Sequence, residues 1–188
     1  MSAREAIDPA SLPGLDALLA LVPGGFGSIH DPVQRRARIA ETLGRDTAAL
    51  PPNPHVTKAD HVVPGVAGAP DTRVRIYRPT GDSSVLPGLV YIHGGGMNTG
   101  SIEAEDPIAT MICERLHVVV ASLQYRLAPE HPYPAQIEDC FAGLQWTAAH
   151  ADSLGIDLAK FGVYGGSAGG NLAIAMALLA RDRSGPSL

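Results

Sequence analysis

Gly165-Gly166-Ser167-Ala168-Gly169 has the form G-x-S-x-G. A serine on a sharp turn between a strand and a helix is lifted above the strand ends, where it can attack an acyl carbon. Strand and helix pass close together at such a turn, so its neighbours must be small. Gly165, Ala168, Gly169 and Gly170 meet that need. A helix starting here would leave the Ala168 N–H unsatisfied at the positive end of its dipole. A tetrahedral oxyanion would be held there. The second feature is His93-Gly94-Gly95-Gly96. A run of glycines lets a backbone approach an anion and aim N–H groups at it. G-x-S-x-G alone is a weak signal. The glycine run gives it weight, because both loops would end parallel strands of one sheet and converge at its carboxyl edge.

The elements that must position these loops can be read from periodicity. Leu86–Ile92 is a short apolar run that stops at the glycines. A strand buried on both faces reads this way. Residues 118–123 and 161–164 read as two more. Asp106-Pro107 suggests the start of a helix bearing Ile108, Met111, Ile112 and Leu116. A proline-rich loop over 126–134 leads into an amphipathic helix over 135–150, through Ile137, Phe141, Leu144 and Ala148. An apolar helix follows the serine over 167–181. Upstream, 55–63 and 72–78 alternate like a hairpin, with Val74 and Ile76 on one face. A hairpin followed by β-α-β-α-β-α predicts an α/β fold with a mostly parallel sheet and helices on both faces.

The first fifty residues differ in character. Leu12, Leu15, Leu18, Leu19 and Val22 fall at helical spacing before Pro23-Gly24-Gly25. Asp31-Pro32 then opens a second helix, with Val33, Ala37, Ala40 and Leu43 on its expected inner stripe. Arg35, Arg36 and Arg38 read as its solvated face. Pro51-Pro52-Asn53-Pro54 is a linker. The chain thus divides into N-terminal helices over 1–50 and an α/β part over 51–188.

Composition narrows the function. The 188 residues suit one domain, and 45% hydrophobic content suits a packed core. Net charge is −5, with 19 acidic and 14 basic residues and no basic block, which argues against nucleic acid as a partner. Cys113 and Cys140 fall in no metal or redox spacing and read as buried thiols in a reducing compartment. Residues 1–10 lack a basic segment followed by an apolar one, so no signal peptide is expected. The longest purely apolar run, 172–180, is far short of the ~20 residues that span a bilayer. A cytoplasmic protein with no membrane span is expected. A nucleotide fold fits poorly, since no lysine follows either glycine run as in a P-loop.

Three stretches, in this order, resemble the hormone-sensitive-lipase branch of the α/β-hydrolases. They are Val90-Tyr91-Ile92-His93-Gly94-Gly95-Gly96, Tyr125-Arg126-Leu127-Ala128-Pro129-Glu130-His131-Pro132 and Gly165-Gly166-Ser167-Ala168-Gly169-Gly170-Asn171-Leu172-Ala173. The likeness runs from about Val56 to Leu188. It implies a carboxylesterase or lipase acting on a small-molecule ester of short-to-medium acyl chain, without cofactor or metal, and it leaves a homodimer open. By resemblance Ser167 is the catalytic nucleophile. Gly95, Gly96 and Ala168 supply oxyanion N–H groups, Gly94 completes the loop, and His93 shapes it. Arg126, Glu130 and Asp139 resemble a buried scaffold, and the N-terminal helices part of a lid. The chain departs from the family at Gly166, often aspartate, at Met97, often aromatic, and at Glu105, often histidine. These departures bear on the substrate pocket.

An acyl-transfer serine needs a base and a carboxylate to orient it, and in this fold they follow the serine in the chain. All seven histidines precede Ser167, and one acid, Asp182, follows it. Fifteen residues of helix at 1.5 Å each put Asp182 about 22 Å away. His131, near the same sheet edge, is the least unsuited substitute. The chain is therefore expected to be the N-terminal part of a longer hydrolase, nearly inactive by itself. The alternative is a small-molecule-binding protein on a hydrolase scaffold, without turnover.

Overall fold

The computed structural model describes residues 3–48 and 50–188. Five strands form one sheet: β1 (Val56–Val63), β2 (Thr72–Pro79), β3 (Leu86–Ile92), β4 (Val119–Leu123) and β5 (Ile156–Gly165). Their order is β1-β2-β4-β3-β5. β2 is antiparallel to both β1 and β4, while β3 is parallel to β4 and β5. Four strands therefore share one direction and β2 alone opposes them, so the sheet is mostly parallel as expected. β3 lies between β4 and β5, and it ends at the glycine run.

Helices cover both faces. They are α1 (Leu12–Leu21), α2 (Pro32–Ala48), α3 (Ile102–Leu116), α4 (Ala135–Ala149), α5 (Ala151–Leu154) and α6 (Ala168–Asp182). On one face α3 presents Ala109 and Cys113 to Tyr77, Tyr91 and Val120. On the other, α4 and α6 present Phe141, Leu144, Leu172 and Met176 to Val74, Ile76, Val90 and Ile92. Alternate residues of the inner strands enter opposite cores, which is why those strands are apolar throughout. Cys113 and Cys140 are buried and free, one in each core.

Two local expectations need correction. α3 begins at Ile102, not after Asp106-Pro107: the Ser101 side chain accepts from the Ala104 N–H, 3.1 Å, and Pro107 lies inside the helix. Asp106 is instead engaged with Lys58 (2.6 Å), Arg75 (3.2 Å) and the Tyr77 hydroxyl (2.8 Å). The second correction concerns the face of α2. Val33, Ala37 and Ala40 are exposed, whereas Arg35, Arg36 and Ile39 are half-buried. The side chain of Leu43 lies outside the described residues. Among the described residues one stretch, Pro9–Ser28, is long and apolar enough to cross a membrane, by length and composition. Its α-helical part is the ten residues of α1, about 15 Å at 1.5 Å per residue, half of a ~30 Å hydrocarbon core.

Candidate active site

The turn from β5 into α6 holds Ser167 at φ 53°, ψ −120°. Positive φ is uncommon for a residue with a Cβ, and such backbone strain clusters at functional sites. Ser167 is exposed and is the N-cap of α6. The turn is closed by Gly169 N–H donating to Gly166 O (2.8 Å) and Asn171 N–H to Ser167 O (3.2 Å). The Ala168 N–H has no partner among the described residues and stands at the positive end of α6.

The glycine loop reaches the same place. A Cβ added to Gly94 would lie 3.0 Å from the Gly166 carbonyl oxygen and 3.6 Å from Ser167 Cβ. The structure thus brings together Gly94, Ser167 and Ala168, with Gly95 and Gly96 following at φ 112° and φ 61°. The Gly95 carbonyl is held by three donors: Asn98 N–H (3.1 Å), Thr99 N–H (2.9 Å) and Thr99 Oγ1 (2.9 Å). In a planar trans peptide the N–H opposes the preceding C=O. Fixing the Gly95 carbonyl therefore fixes the direction of the Gly96 N–H. No partner for the Gly95 or Gly96 N–H is seen among the described residues. The loop can therefore offer free N–H donors to an anion.

His93 is fully buried, its ring stacked 4.1 Å from Tyr125, whose hydroxyl donates to His93 O (3.0 Å). Its Nδ1 lies 2.8 Å from Gly94 O. A carbonyl only accepts, so Nδ1 carries the ring proton. Burial pushes the pKa below the ordinary histidine range, partly opposed by the Gly94 carbonyl. His93 is thus built into the loop's base.

Beneath the loops, Asp139 takes Arg126 in a fork, accepting Nε and Nη2 at 2.8 Å each and the Arg126 backbone N–H at 2.8 Å. That part of the expected scaffold is buried at Asp139. Glu130 is not: its side chain is 43% exposed and pairs with Arg36 of α2 at 2.7 Å. Arg36 also donates to Asn98 O and Ala128 O, each at 2.7 Å. It is an anchor, not part of a solvated face. Sequence reasoning missed it because its partners are backbone carbonyls 62 and 92 residues away.

A cavity of about 820 Å³ opens beside the glycine loop, lined by Arg36, Ile39, Gly94, Gly95, Ser101 and Glu105 among others. Ser167 stands outside that lining. Glu105 accepts from the Tyr91 hydroxyl at 2.5 Å. Burial, then this carboxylate, push the Tyr91 phenol pKa up.

No histidine is hydrogen-bonded to Ser167 among the described residues. His117 pairs with Asp82 (2.8 Å), His150 bonds Trp146 O (2.8 Å), and His61 packs on Trp146. His131 lines a separate cavity of about 420 Å³ with Arg126 and Glu138.

Comparison with known proteins identifies the fold family. Residues 89–188 match a family model described as the alpha/beta hydrolase fold. Carboxylesterase NlhH of Mycobacterium tuberculosis is 39% identical over 99% of this chain and 56% of its own length. Esterase LipI of the same species is 38% identical over 98% of this chain and 55% of its own. The hyperthermophilic esterase of Pyrobaculum calidifontis superposes with a TM-score of 0.82 at 35% identity, covering 96% of this chain and 56% of that one. A bacterial heroin esterase gives a TM-score of 0.82 at 36% identity, covering 94% and 55%. The chain spans about half the length of these relatives. From β3 through α6, it belongs to the α/β-hydrolase fold family, in its hormone-sensitive-lipase-like branch.

Proposed function

We propose that this chain carries the nucleophile and oxyanion hole of a serine carboxylesterase acting on small-molecule esters of short-to-medium acyl chain. Ser167 Oγ attacks the ester carbonyl carbon and gives its proton to a general base. The Gly95, Gly96 and Ala168 N–H groups hold the oxyanion. The alcohol leaves with that proton, and the acyl group stays on Ser167 until water releases it as a carboxylic acid. The base and its orienting carboxylate belong to the part of the fold that the longer relatives have and this chain does not span. α1 and α2 form part of a lid, and the cavity beside Gly94 and Gly95 takes part of the ester.

One observation above all supports this reading: the approach of Gly94 to Ser167, 3.6 Å between the added Cβ and Ser167 Cβ. The pairing of β3 with β5 brings the two turns together, and it places a glycine backbone, not a side chain, against the strained serine. The uncharged glycines at that contact leave room for a carbonyl oxygen.

The test is hydrolysis of p-nitrophenyl butyrate by the 188-residue chain and its Ser167→Ala variant. Loss of the base in such a triad costs about 10⁶ in kcat, with about 10³–10⁴ over water surviving. The slow residual turnover is expected to survive nearly unchanged in the variant, because it comes from the oxyanion hole and binding, and any butyryl that accumulates is expected on Ser167 by mass spectrometry. Brisk turnover abolished by Ser167→Ala would place the base inside these residues. Tight ester binding with hydrolysis no faster than in water would favour a non-catalytic binding protein.

A further inference from the structure

The glycine loop does not stand by itself. Its outer turn is gripped from the N-terminal helices by one side chain. Arg36 Nε donates to Asn98 O and Nη2 to Ala128 O, each at 2.7 Å, while the fork also meets both carboxylate oxygens of Glu130 (3.1 and 2.7 Å). The two carbonyls belong to loops that are themselves joined, because Ala128 N–H donates to Met97 O at 2.9 Å. Asn98 is also the residue whose N–H holds the Gly95 carbonyl, and that carbonyl sets the direction of the Gly96 N–H. A continuous path of hydrogen bonds therefore runs from α2 to an oxyanion donor.

We propose that Arg36 is a positioning residue: by tying the Asn98 and Ala128 carbonyls to α2, it aims the Gly96 N–H only while the N-terminal helices are docked. The proposal rests on the reading of Gly95 and Gly96 as oxyanion donors. It makes docking of α2 a condition for an assembled hole. An arginine suits the task because its planar fork reaches two carbonyls and a carboxylate at once.

The experiment uses the full 188-residue chain with Arg36→Ala, Arg36→Lys and Glu130→Gln. Two quantities are read: amide exchange at Asn98, Thr99 and Ala128 by NMR, and the rate at which p-nitrophenyl butyrate acylates Ser167. In Arg36→Ala the three amides exchange faster while β3 and β4 amides keep their protection. Acylation slows by roughly 10- to 100-fold, in the range a displaced donor costs. Added ethylguanidinium restores part of the rate. Arg36→Lys keeps the charge but not the fork, so it behaves like the alanine variant. Glu130→Gln keeps both carbonyl contacts and stays within about 3-fold of wild type.

Unchanged exchange at Asn98 and Thr99, or unchanged acylation, overturns the proposal. If Arg36→Ala loses protection across β3 and β4, Arg36→Lys becomes the deciding variant, and wild-type acylation there overturns the proposal. Acylation of wild type at a residue other than Ser167 sinks the serine reading instead, whereas no measurable acylation is the consequence of the absent base. In either case the exchange measurement alone decides whether Arg36 holds the loop.

Discussion

The carbonyl oxygen of Ile92, the last residue of β3, occupies the space where a Cβ on Gly169, in the first turn of α6, would stand. The strand that ends in the glycine run and the helix that starts after Ser167 are thus packed backbone to backbone. Gly169→Ala must push α6 off the sheet. Overpacking of this kind costs about 1–3 kcal/mol or more. Gly166, one residue before the serine, has nothing within 4 Å of its added Cβ. Gly166→Ala is expected within about 0.5 kcal/mol of wild type. Urea unfolding of both variants checks the contrast, and equal stabilities would mean the strand–helix approach is looser than described.

Ser167 holds φ 53° with a Cβ in place. Sparsely populated backbone of this kind costs about 1–3 kcal/mol. Glycine adopts it freely. Ser167→Gly is therefore expected to be more stable than Ser167→Ala by about 1 kcal/mol, although both remove the hydroxyl. Thermal melts of the pair decide it, and alanine matching glycine would show the turn to be unstrained.

Asp139 is buried and satisfies Arg126 through both oxygens, while Arg126 keeps 23% side-chain exposure. Neutralising a partner in a buried pair costs about 3–5 kcal/mol, and partial exposure of Arg126 lowers the expectation for Asp139→Asn to about 2–4 kcal/mol. Glu138 and Arg183 pair at 3.0 Å on the surface, and Glu138→Gln should cost under about 1 kcal/mol. Denaturation midpoints of the two variants give the comparison. A cost for Asp139→Asn no larger than for Glu138→Gln would remove Arg126 and Asp139 from the scaffold.

Burial lowers the His93 pKa from its ordinary value. The unfolded chain, at about 6.5, then binds the proton more readily than the folded one. The stability from keeping this ring neutral is full above pH ~6.5 and is lost as pH falls below that value toward the folded pKa. Unfolding free energy measured at pH 7.5 and 5.5 should drop for wild type and drop less for His93→Gln. The difference is at most about 1.4 kcal/mol per pH unit. Identical drops would mean that His93 titrates normally in the folded protein.

Much of the site was legible in the sequence because its signals are local. A strand stops at His93-Gly94-Gly95-Gly96, and a helix starts after Gly165-Gly166-Ser167, since small residues at those points serve a turn wherever the rest of the chain goes. Strand periodicity placed β1 to β4 within a residue or two for the same reason, and β5, expected over 161–164, extends to Ile156–Gly165. Tertiary structure alone decided what depends on distant partners. Asp106-Pro107 carries a helix-start signature, yet Asp106 is drawn to Lys58, Arg75 and Tyr77 across the fold, and Ser101 caps α3 instead. Arg36 sits among charges typical of a solvated helix face, and only the docking of α2 on two loops turns it inward. The meeting of Gly94 with Ser167 is of that second kind. The sequence supplies two turns suited to chemistry, and the parallel pairing of β3 with β5 brings them side by side.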